Sequence, residues 1–274
     1  MRQALLLATP LFLFAPDAFA WGLQTHVFFA QYALLALPFA DPELRAAALR
    51  LPRLVLAGAC LPDLMLAGPA LGTPAFRRSH RWSTLRRLAA APRDDAERAL
   101  ALGYASHLVV DVVAHNDFVP EHEARLADLP HVTHAIAEWA MDRHLEERVR
   151  ERPGALLADC LPEAAAFAAR AFRCDAALAA RAVRLLAGAD AWLRASPIPR
   201  LCRGIVQLAD SRMGERFEAY LARAGESLAS TEAALRGLFE DWVASDPEGE
   251  AGDRGADQRA RQDVARVVQA QNHA

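Results

Sequence analysis

The sequence predicts an all-α protein, a single multi-helix domain with a metal cluster between helices near its N-terminal half. Apolar residues recur at helical spacing along most of the chain. No segment alternates apolar and polar residues as a half-buried strand does, and the sequence contains no glycine-rich nucleotide-binding loop or internal repeat. Hydrophobic residues make up 53% of the 274 residues, which excludes a disordered chain and suffices for a large core.

The N-terminus has the features of a secretory signal peptide. Arg2 supplies a short positive segment, and residues 4–15 form an apolar run that is too short to span a membrane. Residues 18–20, Ala-Phe-Ala, match the small-x-small pattern that precedes a cleavage site. We therefore expect a signal peptide over residues 1–20, a mature chain that begins at Trp21, and a secreted or periplasmic protein.

Helical spacing and capping residues divide the rest of the chain into elements. Asp41 followed by Pro42 is an N-cap and first-turn pair that opens a helix towards Leu56. Proline, glycine and cysteine-aspartate breaks separate three or four alanine-rich helices in the C-terminal part. The expected order begins with a helix over 21–37, a helix from Asp41 towards Leu56, an irregular stretch over 57–80 and a central helix from Asp94 or Asp95 to about Asp117. A loop bounded by Pro120 and Pro130 follows, and then a helix from His131 to about Arg150. Further helices, broken at 153–154, 174–175 and 197–199, extend up to Ser245.

The helical domain is expected to cover residues 21–245. The segment 246–257 is acidic and rich in glycine, which is typical of a mobile linker, so residues 246–274 are assigned to a linker and a short C-terminal helix. The formal charge of -3 gives no general argument for nucleic acid as a partner.

Four cysteines fit an oxidising compartment and allow three disulfide pairings. Cys160 and Cys174 are the local pair, and free buried cysteines are the alternative. The cysteines are Cys60, Cys160, Cys174 and Cys202.

The stretch from Tyr104 to Phe118 carries three ionisable side chains on one face of an otherwise apolar helix. His107, Asp111 and His115 are four residues apart and therefore lie one turn above each other. A single buried histidine is usually a hydrogen-bonded core residue, and one His-Asp pair is often a simple contact on a helix. Three such groups are costly to bury unpaired, and imidazole with carboxylate suits a divalent metal, zinc first.

A second helix carries a similar stripe, and two loops offer further ligands. His134, Glu138 and Asp142 have the same spacing of four, while Asp63 and His80 lie in the irregular stretch. Helix bundles place metal sites between facing helices in this way. Cysteine is absent from these spacings, so an open catalytic site is favoured over a structural finger-type site.

These motifs, in this order, resemble the zinc-dependent phospholipase C family, whose fold is shared with the single-strand-specific nucleases. The resemblance covers roughly residues 21–142, and its motifs are specific together but weak singly. They are Trp21-Gly22-Leu23-Gln24-Thr25-His26, Ala57-Gly58-Ala59-Cys60-Leu61-Pro62-Asp63, the isolated His80, His107-x-x-x-Asp111 and His134-x-x-x-Glu138.

The resemblance implies up to three Zn²⁺ ions. In this family the N-terminal tryptophan binds metal through its free amine and carbonyl, so Trp21 would act as a ligand after cleavage. Asp111 would bridge two of the metals, and Asp63 would in addition be the general base. The implied ligand sets are Asp63, His80, His107 and Asp111; His115, His134 and Glu138; and Trp21, His26 and Asp111.

Two details bear on the branch of the family. Glu138 is similar to the bacterial phospholipases, since the nucleases tend to have aspartate there. Asp111 and His115 are separated by three residues, whereas the better-known phospholipases and nucleases have five. The shorter spacing resembles the wider branch that includes glycosylphosphatidylinositol-specific phospholipase D, so the substrate stays open at this point.

The first functional expectation is a secreted phosphodiesterase with phospholipase C-type cleavage of a glycerophospholipid by zinc-activated water. The expected partner is a phospholipid or another phosphodiester, with transient contact to a membrane surface and no stable nucleic-acid partner.

There are two alternatives, one a second enzyme and the other a protein without catalysis. A nuclease of the same fold would need a basic groove with aromatic residues for stacking, which the arginine-rich segment 77–87 around Trp82 would supply, although an ordinary solvated face is the simpler interpretation. A secreted zinc-binding protein without catalysis is the second alternative.

Overall fold

The computed structural model describes residues 22–126 and 130–236, with side chains described for residues 22–122 and 133–236. Within these ranges every regular element is a helix and the helices form one domain, so the predicted all-α single domain is confirmed. The expected signal peptide, Trp21, and the expected linker and helix over 246–274 lie outside the described residues.

The N-terminal half contains the helices that carry the predicted ligands. Aspartate caps start two of them, since Asp41 accepts hydrogen bonds from two first-turn amides of its helix and Asp94 accepts one from Glu97. In chain order the elements are α1 (Leu23–Ala36), α2 (Pro42–Arg50), α3 (Pro52–Gly58), a 3-10 helix (Pro62–Leu66), α4 (Ala67–Ala70), α5 (Trp82–Ala89), α6 (Asp95–Val113), a π-helical turn (Ala114–Phe118), α7 (Val119–Leu126) and α8 (Pro130–His144).

The C-terminal half consists of helices that pack against those of the first half. Arg173, in the left-handed conformation, ends one helix, and Asp175 caps the next by accepting a hydrogen bond from Leu178 N. The elements are α9 (Pro153–Asp159), α10 (Leu161–Phe172), α11 (Ala176–Ala195), α12 (Ile198–Ala209), α13 (Met213–Ser227), a 3-10 helix (Leu228–Ser230) and α14 (Thr231–Leu235).

The helix predicted from Asp41 to Leu56 is in fact two helices. The first ends at Arg50 and the second begins at Pro52, with Leu51 at φ -128° and ψ 50° between them. Proline disfavours helical conformation in the residue before it and has no amide hydrogen to donate, so the break follows from Pro52.

The central helix begins at Asp95 as predicted, and the predicted region up to Asp117 continues into the π-helical turn. The loop predicted between Pro120 and Pro130 is wrong for its first part, because α7 extends to Leu126. The next helix is shorter than predicted, because it ends at His144 rather than near Arg150. The predicted breaks at 153–154, 174–175 and 197–199 are confirmed, while the breaks at 160 and 210–212 were not predicted.

The central helix α6 lies inside the fold, in contact with α1, α2, α3, α5, α13 and α14. Nearly every residue from Ala99 to Val113 is buried, including the polar ones. A helix without a solvent face must direct its polar stripe into the protein, where it needs partners of opposite or complementary chemistry.

Two glycines let α3 and α6 approach closely. A Cβ at Gly103 would lie 1.8 Å from the Val55 carbonyl oxygen, and a Cβ at Gly58 would lie 2.2 Å from the Leu100 carbonyl oxygen. Glycine within a helix costs about 1 kcal/mol relative to alanine, so its presence at both positions is explained by this contact. The contact brings the segment after α3, which carries Asp63, against α6.

All four cysteines are free thiols, so the predicted Cys160–Cys174 pair is wrong. The two cysteines flank the 12 residues of α10, which extend about 18 Å along the helix axis, well beyond the Cα separation that a disulfide allows. Three of the cysteines are buried, as the alternative expectation of free buried thiols required.

No single helix of the described chain is long and apolar enough to cross a membrane. One bent pair of helical segments, Pro52–Gly58 with Pro62–Ala70 at 43°, meets that test by length and composition alone.

We expect Gly103→Ala to destabilise the protein by at least about 2 kcal/mol, because the new methyl group would overlap the backbone of α3. Gly188→Ala is the matched control, since a Cβ there meets no atom within 4 Å on α11, and it should stabilise the protein by up to about 1 kcal/mol. Urea unfolding followed by circular dichroism measures both. Equal stability of the two variants would contradict the close helix contact.

Candidate metal centre

The polar stripe of α6 places three candidate ligands on one face of a buried helix. The side chains of His107 and Asp111 are fully buried, and that of His115 is 23% exposed. His115 lies at the start of the π-helical turn, a local irregularity that is common at functional sites.

The Asp111 carboxylate is surrounded by imidazole rings. Its Oδ2 atom lies 3.5 Å from His80 Nε2, and 3.7 Å and 3.8 Å from the Nε2 atoms of His107 and His115. Its Oδ1 atom lies 3.8 Å from His26 Nε2 on the other side. Both oxygens are buried and neither makes a hydrogen bond. A buried carboxylate in this state requires a compensating cation.

The surrounding histidines also affect the ionisation of this carboxylate. Burial by itself would raise the pKa of Asp111, but the attraction of His107, His115 and His80 outweighs burial and holds that pKa below the ordinary range. The lowered pKa favours the ionised form of Asp111, which places negative charge at the centre of the site.

The orientation of His107 is fixed by the segment that follows α3. Its Nδ1 atom lies 2.7 Å from the Ala59 carbonyl oxygen, so Nδ1–H donates and the lone pair is left on Nε2. Nε2 lies 3.1 Å from His80 Nε2. Two imidazole nitrogens that face each other at this distance share one proton or turn their lone pairs towards a common cation.

His80 is positioned by its own loop and by α6. Tyr104 of α6 donates a hydrogen bond from its hydroxyl to the Ser79 carbonyl, and Ser79 Oγ lies 3.1 Å from His80 Nδ1. Thr84 closes the loop by donating to the Arg78 carbonyl at 2.7 Å. The isolated histidine of the sequence is thus held by buried hydrogen bonds that no motif reveals.

The start of α1, with His26, is held against α8 by Asp142. The Asp142 carboxylate accepts hydrogen bonds from Thr25 N at 2.9 Å, Thr25 Oγ1 at 2.8 Å and Gln24 N at 3.3 Å. It also accepts one from Arg194 at 3.1 Å. First-turn amides of a helix favour a carboxylate partner, so Asp142 anchors α1 rather than binding metal.

Gly22 is part of the same anchor. A Cβ at this position would lie 2.2 Å from Asp142 Oδ2, so the carboxylate reaches the amides because residue 22 has no side chain. Arg194 is in turn shared with Asp190, which also accepts a hydrogen bond from Gly154 N at 2.8 Å. This buried network ties α1, α8, α9 and α11 together one turn of α8 beyond Glu138.

Asp63 enters the site from the 3-10 helix after α3. Its Oδ1 atom lies 3.7 Å from His80 Nε2, and its side chain is almost fully buried. Burial raises the pKa of Asp63 to about 6, and the nearby histidines only partly offset that rise. A carboxyl that titrates close to neutrality is suited to accept a proton.

The stripe on α8 lies beside His115. His134 Nε2 lies 2.8 Å from Glu138 Oε1, and the rings of His134 and His115 are 5.6 Å apart. Burial raises the pKa of Glu138 well above its ordinary value, and the negative charges of Asp63 and Asp111 raise it further. A cation at this position would restore the ionised carboxylate.

The donor atoms fit a zinc cluster. Two triples have ligand atoms within 4.8 Å of one another, namely His26 with Asp63 and His107, and His80 with His107 and Asp111. Imidazole nitrogen and carboxylate oxygen are donors that zinc takes at catalytic sites. The first and third predicted ligand sets therefore meet in one continuous cluster, while Trp21 lies outside the described residues.

Five of the nine predicted ligands form these two triples, and His115 lies 3.8 Å from Asp111. His134 and Glu138 contact each other beside the His115 ring but belong to neither triple. His122, left unassigned by the sequence, packs against Phe118 and donates to its carbonyl at 2.8 Å. His144 lies 2.6 Å from a carboxylate oxygen of Glu218. The anchoring role of Asp142 was not predicted, although its spacing from Glu138 had marked it.

The comparison with protein families agrees with this geometry. A family model described as zinc-dependent phospholipase C matches residues 25–183, which is more than half of the chain and includes every predicted ligand except Trp21. The chain belongs to the zinc-dependent phospholipase C family. No curated protein and no solved structure matches the chain.

Membership of the zinc-dependent phospholipase C family identifies zinc as the metal that the cluster is suited to hold. Bound zinc would also compensate the free-energy cost of burying the three carboxyl groups of Asp63, Asp111 and Glu138 in one place. Burial raises the pKa of Glu138, and the negative charges of Asp63 and Asp111 raise it further, an effect that a bound cation would offset.

In the metal-free protein we expect Asp63 to lower stability as the pH rises. Its pKa is about 6 when folded and 3.8 in its ordinary state, so the unfolded chain loses the proton first. The free energy of unfolding should fall by about 3 kcal/mol between about pH 4 and pH 7 through this group. Asp63→Asn has no carboxyl group to titrate, so its free energy of unfolding should not fall in this way. Relative to the wild type, the variant should therefore become more stable as the pH rises, as measured by urea unfolding of chelator-treated protein.

The zinc-saturated proteins are the control for this experiment. With metal bound, the charge of Asp63 is compensated, so the wild type should be the more stable of the two at neutral pH. A stability difference between metal-free wild type and Asp63→Asn that does not change with pH would contradict the burial argument.

Proposed function

We propose that the protein is a secreted zinc-dependent phosphodiesterase that carries out phospholipase C-type hydrolysis of a glycerophospholipid. The observation that carries the proposal is the Asp111 carboxylate, buried without a hydrogen bond among His26, His80, His107 and His115 in a chain of this family. In an ordinary core a carboxylate buried without hydrogen bonds would destabilise the fold, whereas bound metal ions would compensate its charge.

The proposed zinc ligands are those that surround Asp111 on its two sides. Oδ1 faces His26 and Oδ2 faces three other histidines, so Asp111 would help to hold metal together with the residues on both of its sides. The proposed sets are Asp63, His80, His107 and Asp111; His115, His134 and Glu138; and Trp21, His26 and Asp111.

Zinc, when bound, would lower the pKa of water and neutralise charge on a phosphodiester. The residues of the chain would provide orientation and proton transfer. His107 donates its Nδ1–H to the Ala59 carbonyl, which fixes the ring so that Nε2 points into the site. Asp63, with a pKa near neutrality before metal binding, would take the proton of the attacking water on one carboxylate oxygen.

One observation favours a lipid substrate over single-stranded nucleic acid. Trp82, which a nuclease groove beside His80 would use for base stacking, is 6% exposed and belongs to the hydrophobic core. A buried ring offers no face to a base, so the arginines around it form a solvated surface without a stacking platform. Glu138, in place of the aspartate typical of nucleases, supports the same preference.

Export is part of the proposal, because a tryptophan amine becomes a ligand only after cleavage before Trp21. An internal amide nitrogen has a delocalised lone pair and is a poor ligand, whereas an α-amine with a pKa near 8 gives up its proton to a metal. An exported protein whose intact mass retains residues 1–20 would contradict this part.

The substrate assignment predicts that zinc-loaded protein hydrolyses a soluble short-chain phosphatidylcholine faster than it degrades single-stranded DNA. Phosphate is measured after a phosphatase acts on the released head group, and nucleotides are measured by absorbance. Asp63→Asn should lower lipid turnover by about 100-fold or more, since loss of a general base costs that much.

The variant His144→Gln is the matched control and should keep the wild-type rate, because the largely buried His144 pairs with Glu218 and not with the residues of the cluster. Rapid digestion of single-stranded DNA without lipid turnover would reverse the assignment. Absence of both activities in protein shown to contain zinc would favour a non-catalytic zinc-binding protein.

A further inference from the structure

A deep cleft lies between helices α9 and α11, outside the metal centre. Its volume is about 910 Å³, which is within the range of about 300–1,000 Å³ that small-molecule pockets occupy. None of the proposed zinc ligands lines this cleft. The proposed phosphodiesterase activity therefore gives it no role.

Small residues keep the cleft open. Ala187, Gly188, Ala191 and Ala195 line it from one face of α11, where they follow each other at helical spacing. The two helices come together at Gly154, where a Cβ would lie 2.6 Å from the Ala187 carbonyl oxygen. A Cβ at Gly188 would meet no atom within 4 Å, so the space beside this residue can be occupied by a ligand.

The inner end of the cleft is polar and held by buried hydrogen bonds. Gln24 and Asp190, which are 3% and 6% exposed, line it together with Arg194. Asp190 accepts hydrogen bonds from Gly154 N and from Arg194 Nε, each at 2.8 Å. The polar end is thus formed before any ligand enters, as is usual for small-molecule sites.

Three exposed arginines, Arg150, Arg152 and Arg184, line the outer part of the cleft. Arg150 and Arg152 precede α9, whereas Arg184 belongs to α11, so positive charge is present on both walls. Among the side chains that the structure describes, no carboxylate forms an ion pair with any of the three. Glu151, which lies between two of them in the sequence, faces Arg53 instead, at 3.5 Å.

The acidic side chains that line the cleft already have cationic partners. Glu146 pairs with Arg143, and Asp190 pairs with Arg194 at 2.8 Å. Neither acid is therefore available to neutralise the outer arginines. The cleft consequently has an excess of positive charge, which favours an anionic ligand.

The walls restrict the class of anion. Guanidinium groups bind the oxygens of phosphate-like groups in pairs, and arginines on two walls require several such groups on one molecule. The described residues that line the cleft include no aromatic ring on which a nucleobase could stack. The walls are helices, whose backbone groups are engaged within the helix and cannot pair with a peptide strand.

We propose that the cleft between α9 and α11 binds a sugar-sized polyanion that carries several phosphate or sulfate ester groups. Arg150, Arg152 and Arg184 would hold these groups, while Gly188 provides the space for the body of the molecule. The inference does not rest on the proposed phosphodiesterase activity.

The test is isothermal titration calorimetry of zinc-saturated protein with myo-inositol hexasulfate and, separately, with myo-inositol hexakisphosphate. At least one of these probes should bind with one equivalent per chain, and the tighter of the two identifies the preferred ester. Neutral myo-inositol has the same ring without the charges, so it should give no measurable binding. Added salt should weaken the binding of the anions.

A charge variant tests the role of the arginines. Arg184→Gln should weaken binding by about tenfold or more, because a hydrogen-bonded charge pair is lost. Arg77→Gln removes the same charge from an exposed position that does not line the cleft, so it should stay within about twofold of wild type.

A blocking variant tests the location without a change of charge. Gly188→Leu should weaken binding by about tenfold or more, because its side chain would occupy the cleft. Gly204→Leu on α12 is the matched control, since a Cβ there also meets no atom within 4 Å and the residue does not line the cleft. Both variants should melt no lower than wild type by circular dichroism, since leucine favours a helix more than glycine does.

Three outcomes would overturn the inference. Wild-type protein that binds neither anion would exclude a polyanion site. Binding that Arg77→Gln weakens as much as Arg184→Gln would assign the anion to the arginine-rich segment 77–87. Binding that disappears when zinc is removed, and that Gly188→Leu leaves unchanged, would assign it to the metal centre.

Discussion

The structure depends on one buried interaction, the carboxylate of Asp111 among imidazole rings inside an apolar helix bundle. Desolvation of a carboxylate costs several kcal/mol unless charge and hydrogen bonds compensate it, and here neither oxygen is hydrogen-bonded. The histidines lie 3.5 to 3.8 Å away, close enough to share a cation but too poorly placed to donate hydrogen bonds. The centre is thus built to be completed by metal, and the stability of the fold becomes linked to metal binding.

The rest of the fold positions ligands around this carboxylate through backbone contacts. Gly58 and Gly103 allow α3 and α6 to touch, which delivers the Ala59 carbonyl to His107. Asp142, a carboxylate one turn beyond Glu138, holds the amides at the start of α1 and so brings in His26. These contacts explain why the site is assembled from five separate parts of the chain yet is buried as a unit.

The sequence predicted which side chains would come together at the centre better than it predicted the contacts that hold them there. Spacing of four on an apolar helix is a strong signal, so the sequence alone singled out His107 and Asp111 of α6 and His115 of the turn that continues it. The break at Pro52 was missed because the apolar pattern runs on across Leu51 and Pro52, which masks the effect of the proline. The role of Asp142 could not be predicted, since it depends on the backbone amides of a helix 117 residues away. A pairing of Cys160 with Cys174 failed because the rigid α10 separates them.

The most direct test of the account is the zinc content of purified, zinc-saturated protein by elemental analysis. The account predicts more than one zinc per chain, loss of at least one in the isosteric variant Asp111→Asn, and no loss in the variant His144→Gln, whose side chain pairs with Glu218. One zinc or none in the wild type, or an unchanged content in Asp111→Asn, would contradict the claim that Asp111 is the centre of a multinuclear metal site.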